Sequence, residues 1–150
     1  GRSVAPAMRT VADTNNVVSA LLWHGPSRQI LDAARSGIVQ LFTSPALLAE
    51  LEDVLTRDKF AKRLALAGVN ARDLVIGYAA LATLVRPDEI SAIIAADPDD
   101  DDVLACAAAA RAEAIFSGDR HLLDLVEYDG IPILPAVQFL ARVPAEPDAA

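Results

Sequence analysis

The chain has 150 residues, more than half of them apolar, which is enough for one domain with a sizeable core and argues against disorder. Its formal net charge of -8 and isoelectric point near 4.6 exclude broad, non-specific nucleic-acid binding. They leave room for an acidic metal site that acts on a phosphodiester, with local arginines supplying the attraction.

A single cysteine, Cys106, excludes an internal disulfide framework and fits a reducing cytoplasm. It sits in an Ala-rich stretch and reads as a small buried residue. No apolar run approaches transmembrane length and no signal peptide is evident, so no membrane role is expected. Gly1 to Ala7 precede the only methionine, Met8, and read as an expression scar. The domain is expected over 8–143, with 144–150 as a flexible tail.

Arg9 to Ala12 read as a short buried strand that ends at Asp13. Val17 to Leu22 suit a helix that stops near Gly25-Pro26. Pro26 opens the next helix, and Ile30, Leu31 and Ala34 carry it to Gly37. Ile38 to Thr43 read as a second strand. Ser44-Pro45 is a cap and first-turn pair. The helix behind it sets Leu47, Leu48, Leu51, Val54 and Leu55 on one face. A break near Asp58 leads to a helical piece around Phe60 to Leu66. Asn70 caps a helix expected to run through Leu84. Ile90 to Ala95 fit either a short strand or a turn. A helix from Asp100, a strand at 114–116, a helix from Asp119, a strand from Ile131 to Leu134 and a helix from Ala136 to Ala141 follow. Strands alternating with helices predict an α/β fold whose parallel sheet is covered on both faces.

The acidic run Asp97-Pro98-Asp99-Asp100-Asp101-Asp102 precedes the helical stretch Val103-Leu104-Ala105-Cys106-Ala107. Helical neighbours lie three, four and seven residues apart. Counting back from Val103, Leu104 and Ala107, the carboxylate on that apolar stripe is Asp100. Asp101 and Asp102 point elsewhere. A carboxylate aimed along a buried face is costly unless compensated. Helix capping is one compensation and a metal ion is the other. The pattern recurs at Ser117-Gly118-Asp119-Arg120-His121-Leu122-Leu123, where Asp119 extends a stripe of Leu122, Leu123 and Val126.

In open α/β sheets, ligands bind beyond the carboxyl ends of the strands. Asp13 and Asp119 directly follow predicted strands, and the helix from Asp100 should begin on the same edge. Glu50 and Glu52 border opposite sides of the apolar stripe on the Ser44-capped helix, and periodicity does not choose between them. Asp53 points away as a solvated charge. Two unit charges about 4 Å apart repel by about 4 kcal/mol at an effective dielectric near 20, so converging carboxylates call for a hard cation. All-oxygen ligands favour Mg²⁺ or Mn²⁺ over zinc. Neither His24 nor His121 has a ligand-like partner at short spacing. Arg57, Lys59, Lys62 and Arg63 form the dense basic cluster. It reads either as a solvated helix end or as a contact for RNA phosphates.

Four segments in order resemble the motifs of the PIN domain family. They are Val11-Ala12-Asp13-Thr14-Asn15, Ser44-Pro45-Ala46-Leu47-Leu48-Ala49-Glu50-Leu51, Asp97-Pro98-Asp99-Asp100 with Leu104-Ala105-Cys106-Ala107, and Ser117-Gly118-Asp119-Arg120-His121-Leu122-Leu123. The branch they resemble is the VapC-like toxins of bacterial toxin–antitoxin pairs. The resemblance runs from about Arg9 to Val143. It implies a three-layer fold with about five parallel strands and helices on both faces. It implies an Mg²⁺- or Mn²⁺-dependent ribonuclease that hydrolyses RNA, a cognate antitoxin protein and a homodimer. It assigns the acidic site to Asp13, Glu50, Asp100 and Asp119, with Asn15 and Ser117 in support through hydrogen bonds and Asp97 as an outer ligand. Asp101 and Asp102 add charge beside Asp100 that departs from the family pattern.

Other classes fit less well. Asp97, Asp99 and Asp101 alternate as in a calcium loop, but Asp102 stands in place of the turn glycine and Ala108 in place of the closing Glu. A phosphoacceptor domain needs a lysine after a later strand, and the lysines are Lys59 and Lys62. An aspartate-based phosphatase needs a second Asp at position 15, where Asn15 stands. The alternative kept is a catalytically silent PIN-like module that binds RNA or protein.

Overall fold

Two short apolar stretches, each followed directly by a polar residue, Asp13 or Ser117, form the centre of the sheet. The computed structural model describes residues 6–87 and 98–144. Strand β1 (Met8–Ala12) pairs in parallel with β2 (Val39–Thr43) on one side and with β4 (Ala114–Phe116) on the other. A short β3 (Thr83–Leu84) continues the sheet beyond β2, and β6 (Ile131–Leu134) continues it beyond β4. These five strands are parallel. A sixth, β5 (Glu127–Tyr128), closes the edge antiparallel to β6, giving the order β3-β2-β1-β4-β6-β5.

Alternation along the strands divides the core in two. Ala12, Leu41, Ala114 and Phe116 face one layer with α1 (Thr14–Leu22), α2 (Pro26–Arg35) and α8 (Ala136–Arg142). Val11, Phe42, Ile115 and Ile133 face the other with α6 (Pro98–Ala110) and α7 (Arg120–Asp124). Helix α3 (Pro45–Leu55) reaches both layers, since Leu47 joins the second and Leu51, Val54 and Leu55 the first. Helices α4 (Asp58–Ala67) and α5 (Ala71–Leu81) follow it. The result is the expected three-layer α/β architecture. No single helix among the described residues is long and apolar enough to cross a membrane.

Four expectations about the elements need correction. Helix α1 begins at Thr14 rather than Val17, because the Asp13 carbonyl accepts from both Asn16 N and Val17 N. Helix α5 stops at Leu81, and Thr83 and Leu84 leave it to pair with Phe42 and Thr43. Helix α6 starts at Pro98. Val126 does not share the α7 stripe: it lies beyond the helix at φ 67°, 69% exposed. Strand β5 is an addition to the predicted elements. It is made by the turn Asp129-Gly130, whose φ values of 53° and 78° are those of a tight two-residue hairpin. The ambiguous segment Ile90 to Ala95 lies outside the described residues, as does Asp97.

Candidate functional site

Strands β1 and β4 are in register at Ala12 and Phe116, so the next residues, Asp13 and Ser117, leave the sheet side by side at its carboxyl edge. The Asp13 backbone N–H donates to the Phe116 carbonyl at 3.1 Å, which fixes that edge. Asp13 occupies the N-cap position of α1, yet its side chain does not cap the helix. Instead, its Oδ2 accepts from Ser117 Oγ at 2.9 Å. The same hydroxyl oxygen accepts from Asp119 N at 2.9 Å. Ser117 is fully buried and Asp13 only 6% exposed. One serine therefore ties the loop after β4 to the carboxylate after β1.

Asp119 shows the capping behaviour that Asp13 lacks. Its Oδ1 accepts from His121 N at 2.7 Å, and the residue is half-buried at the start of α7. Asp100 lies in the first turn of α6, which runs back over the sheet to β4 and so begins at the same edge. It is 3% exposed, whereas Asp101 and Asp102 are half-buried. Asp100 is thus buried on the face that carries Val103, Leu104 and Ala107. On the second turn of α3, Glu50 is half-buried and Glu52 exposed, which separates the two glutamates. Helix α3 packs against both α1 and α6. Glu50 Oε2 and Asp100 Oδ2 are buried oxygens that accept no hydrogen bond from the described residues, while both carboxylates are engaged in other contacts.

Asn15 is exposed, and its side chain makes no hydrogen bond among the described residues. Its neighbour Asn16 bridges the loop after β4 and the first turn of α2. Asn16 Oδ1 accepts from Gly118 N at 3.0 Å, and Nδ2 donates to Ser27 Oγ at 3.3 Å. Asn16 stands three residues after Asp13 and so shares its helix face. His24 and His121 are exposed. Cys106 is buried on α6, and burial pushes its thiol up to about 12.

Residues 9–121 match the PIN domain family. This chain belongs to the PIN domain family. The matched span holds Asp13, Glu50, Asp100 and Asp119, and ends before β5, β6 and α8. No curated protein matches the chain. Among solved structures, VapBC2 from Rickettsia felis, bound to a DNA fragment from its promoter, is similar at 13% identity and a TM-score of 0.55. That match covers 84% of this chain and 97% of the other. The PIN domain of T. brucei RRP44 is similar at 16% identity and a TM-score of 0.46, over 90% of this chain and 80% of the other.

As a donor set, the carboxylates of this PIN domain fit a hard divalent cation: all are oxygen ligands, and two of the aspartates are buried where an uncompensated charge is costly. Among the described residues, however, no three His, Cys, Asp or Glu side chains stand together at metal-holding distance.

Proposed function

We propose that this PIN domain is a metal-dependent endoribonuclease that hydrolyses RNA phosphodiester bonds and serves as the toxin of a toxin–antitoxin pair. The observation that carries the reading is the Asp13–Ser117–Asp119 linkage at the carboxyl edge, with buried Asp100 opening α6 on the same edge. Asp13, Glu50, Asp100 and Asp119 are the residues that hold Mg²⁺ or Mn²⁺ in this proposal. When bound, the ion would lower the pKa of a water and stabilise charge at the phosphate oxygens. Ser117 holds the Asp13 carboxylate in one orientation. The reaction is hydrolysis, so no side chain of this protein needs to act as a covalent nucleophile. The fold shared with VapBC2 supports a cognate antitoxin protein as partner, and the homodimer belongs to the same proposal.

The test is incubation of the purified protein with mixed RNA in Mg²⁺ or Mn²⁺ and again with chelator. Cleavage confined to the metal-containing reactions is expected. Equal cleavage in both overturns the mechanism. A second reading, a catalytically silent binding module, is favoured by the lack of a three-carboxylate cluster among the described residues. RNA binding without cleavage in either metal supports it.

A further inference from the structure

The basic cluster of α4 is built around the chain's only tryptophan. Arg57, Lys59, Lys62 and Arg63 include both lysines of a protein whose net charge is -8. Lys59 stands three residues before Lys62 and four before Arg63, so the three are neighbours on one helix surface. Arg63 is committed to the fold. Its Nε and Nη2 donate to the Leu22 carbonyl at 2.9 and 2.6 Å, at the C-terminal end of α1. Its guanidinium lies 5.6 Å from the Trp23 ring centroid. Phe60 meets Trp23 edge-on at 6.0 Å, and Lys59 lies 5.0 Å over the Phe60 ring. Trp23 is nonetheless 42% exposed. Arg57 pairs with Asp53 at 3.3 Å, while Lys59 and Lys62 make no ion pair among the described residues.

A large aromatic ring braced by an arginine and a second ring, left partly open to solvent beside two lysines, has the composition of a single-strand platform. Bases stack on an aromatic face regardless of sequence, and lysines meet the phosphates between them. We propose that Trp23, Lys59 and Lys62 form a docking platform for single-stranded RNA, with Arg63 as the positioning residue that holds the indole in place. The inference rests on the ribonuclease reading. Helix α1 links the two places: Asp13 precedes it and Trp23 follows it, and its nine residues span about 14 Å at 1.5 Å per residue. A strand held at Trp23 would thus lie one helix length from the carboxyl edge. Charge complementarity selects the occupant, since a polyanion is repelled by most of this acidic surface and attracted here.

The sole tryptophan makes the test direct. A 12-nucleotide single-stranded oligouridylate is titrated into the full chain in chelator, which prevents turnover, while Trp23 emission is followed across a salt series. The expected result is quenching of Trp23, with affinity falling as salt rises. Lys59→Gln with Lys62→Gln should flatten the log–log salt slope by about 1.4, two phosphates at about 0.7 each for a single strand. Trp23→Leu, followed by anisotropy of labelled RNA, should weaken binding by about 5- to 150-fold, the worth of one stacked base. Unchanged emission on saturation, or unchanged affinity and slope in these variants, overturns the platform. So does polyglutamate that quenches and competes as well as RNA, which would mark a site for acidic protein. RNA still cut in Mg²⁺ by variants that bind normally would sink the platform and spare the nuclease. Quenching by RNA that is never cut would do the reverse.

Discussion

Ser117 is the residue on which the candidate site turns, because its hydroxyl satisfies two loops at once: it donates to Asp13 Oδ2 and accepts from Asp119 N. Ser117→Ala removes both bonds in a fully buried place and leaves a backbone N–H without its acceptor. The expected cost is about 1–3 kcal/mol, read as a lower urea midpoint at unchanged slope. Activity or metal affinity should fall by about 10- to 100-fold, as for other groups that orient a metal ligand. An enzyme as stable and active as the parent would show that Asp13 is held by other means. Within the acidic run, Asp100→Asn should abolish cleavage and Asp102→Asn should leave most of it, because Asp100 is buried on the apolar stripe and Asp102 is half-buried. The reverse outcome would overturn the helix register as a guide to the site. Cys106 gives a pH prediction. Its thiol is raised from 9.0 to about 12 by burial, so the folded state holds its proton where the unfolded state has lost it. That contribution to stability is fully present below pH 9 and falls between about pH 9 and 12. Replacing Cys106 by Ala should flatten the decline in stability over that window, and a decline as steep as the parent's would count against the assignment.

Local signals set most of the elements, and the departures arise where the deciding partner is distant in sequence or the element is too short to show a period. Ser44 Oγ accepts from Leu47 N and Asn70 Oδ1 from Asp73 N, the side-chain caps expected at those helix starts. Their physics is complete within four residues, so the sequence carries it. Thr83 and Leu84 are different. Nothing local ends α5 at Leu81; the pairing of Thr83 and Leu84 with β2, and the bond from Val85 N to the Thr43 carbonyl, depend on residues some 40 positions away. Strand β5 was legible in principle, because Asp129-Gly130 is a strong hairpin pair, yet two-residue strands are too short to show a period. At the site, periodicity identified Asp100 over its neighbours but left Glu50 and Glu52 open, since both border the stripe; burial then separated them. The family motif marks Asn15, whereas helix spacing from Asp13 points to Asn16, whose side chain bonds Gly118 N. The C-terminal end of α1 also depends on distant residues. Arg28 donates to the Ala20 and Leu21 carbonyls and Arg63 to Leu22, so two arginines from other helices satisfy its last turn. Arg63→Lys keeps the charge but loses the paired geometry. It should destabilise the fold by about 1–2 kcal/mol and shift Trp23 emission, and melts and fluorescence that match the parent would show that charge alone suffices.

For the whole molecule, the question is whether the carboxyl edge is a shared charge site or a row of ordinary helix starts. The net charge of -8 complicates any answer, because added salt stabilises an acidic protein by screening alone. Mg²⁺ must therefore be compared with NaCl at matched ionic strength. Asn caps a helix about as well as Asp, so Asp119→Asn retains an acceptor for His121 N while removing one charge. Asp100→Asn likewise removes a charge and keeps the volume. If the carboxylates converge, each variant in chelator should be as stable as the parent or more so, by about 1 kcal/mol. Mg²⁺ should then raise the parent's Tm beyond the NaCl control by mass action, and raise each variant's much less. A row of independent caps predicts the opposite pattern: equal responses to Mg²⁺ and matched NaCl in all three proteins, and no gain on removing a charge. The first pattern also requires that the edge bring its carboxylates closer when the ion binds than the described residues stand now. Because Ser117 already fixes Asp13 against the loop that carries Asp119, that adjustment falls to Asp100, on the first turn of α6, and Glu50, on the second turn of α3. Amide exchange should then slow on Mg²⁺ addition at the starts of α6 and α3 more than at Ser117 and Gly118. Uniform slowing across the fold would indicate general stabilisation and remove the support for a shared site.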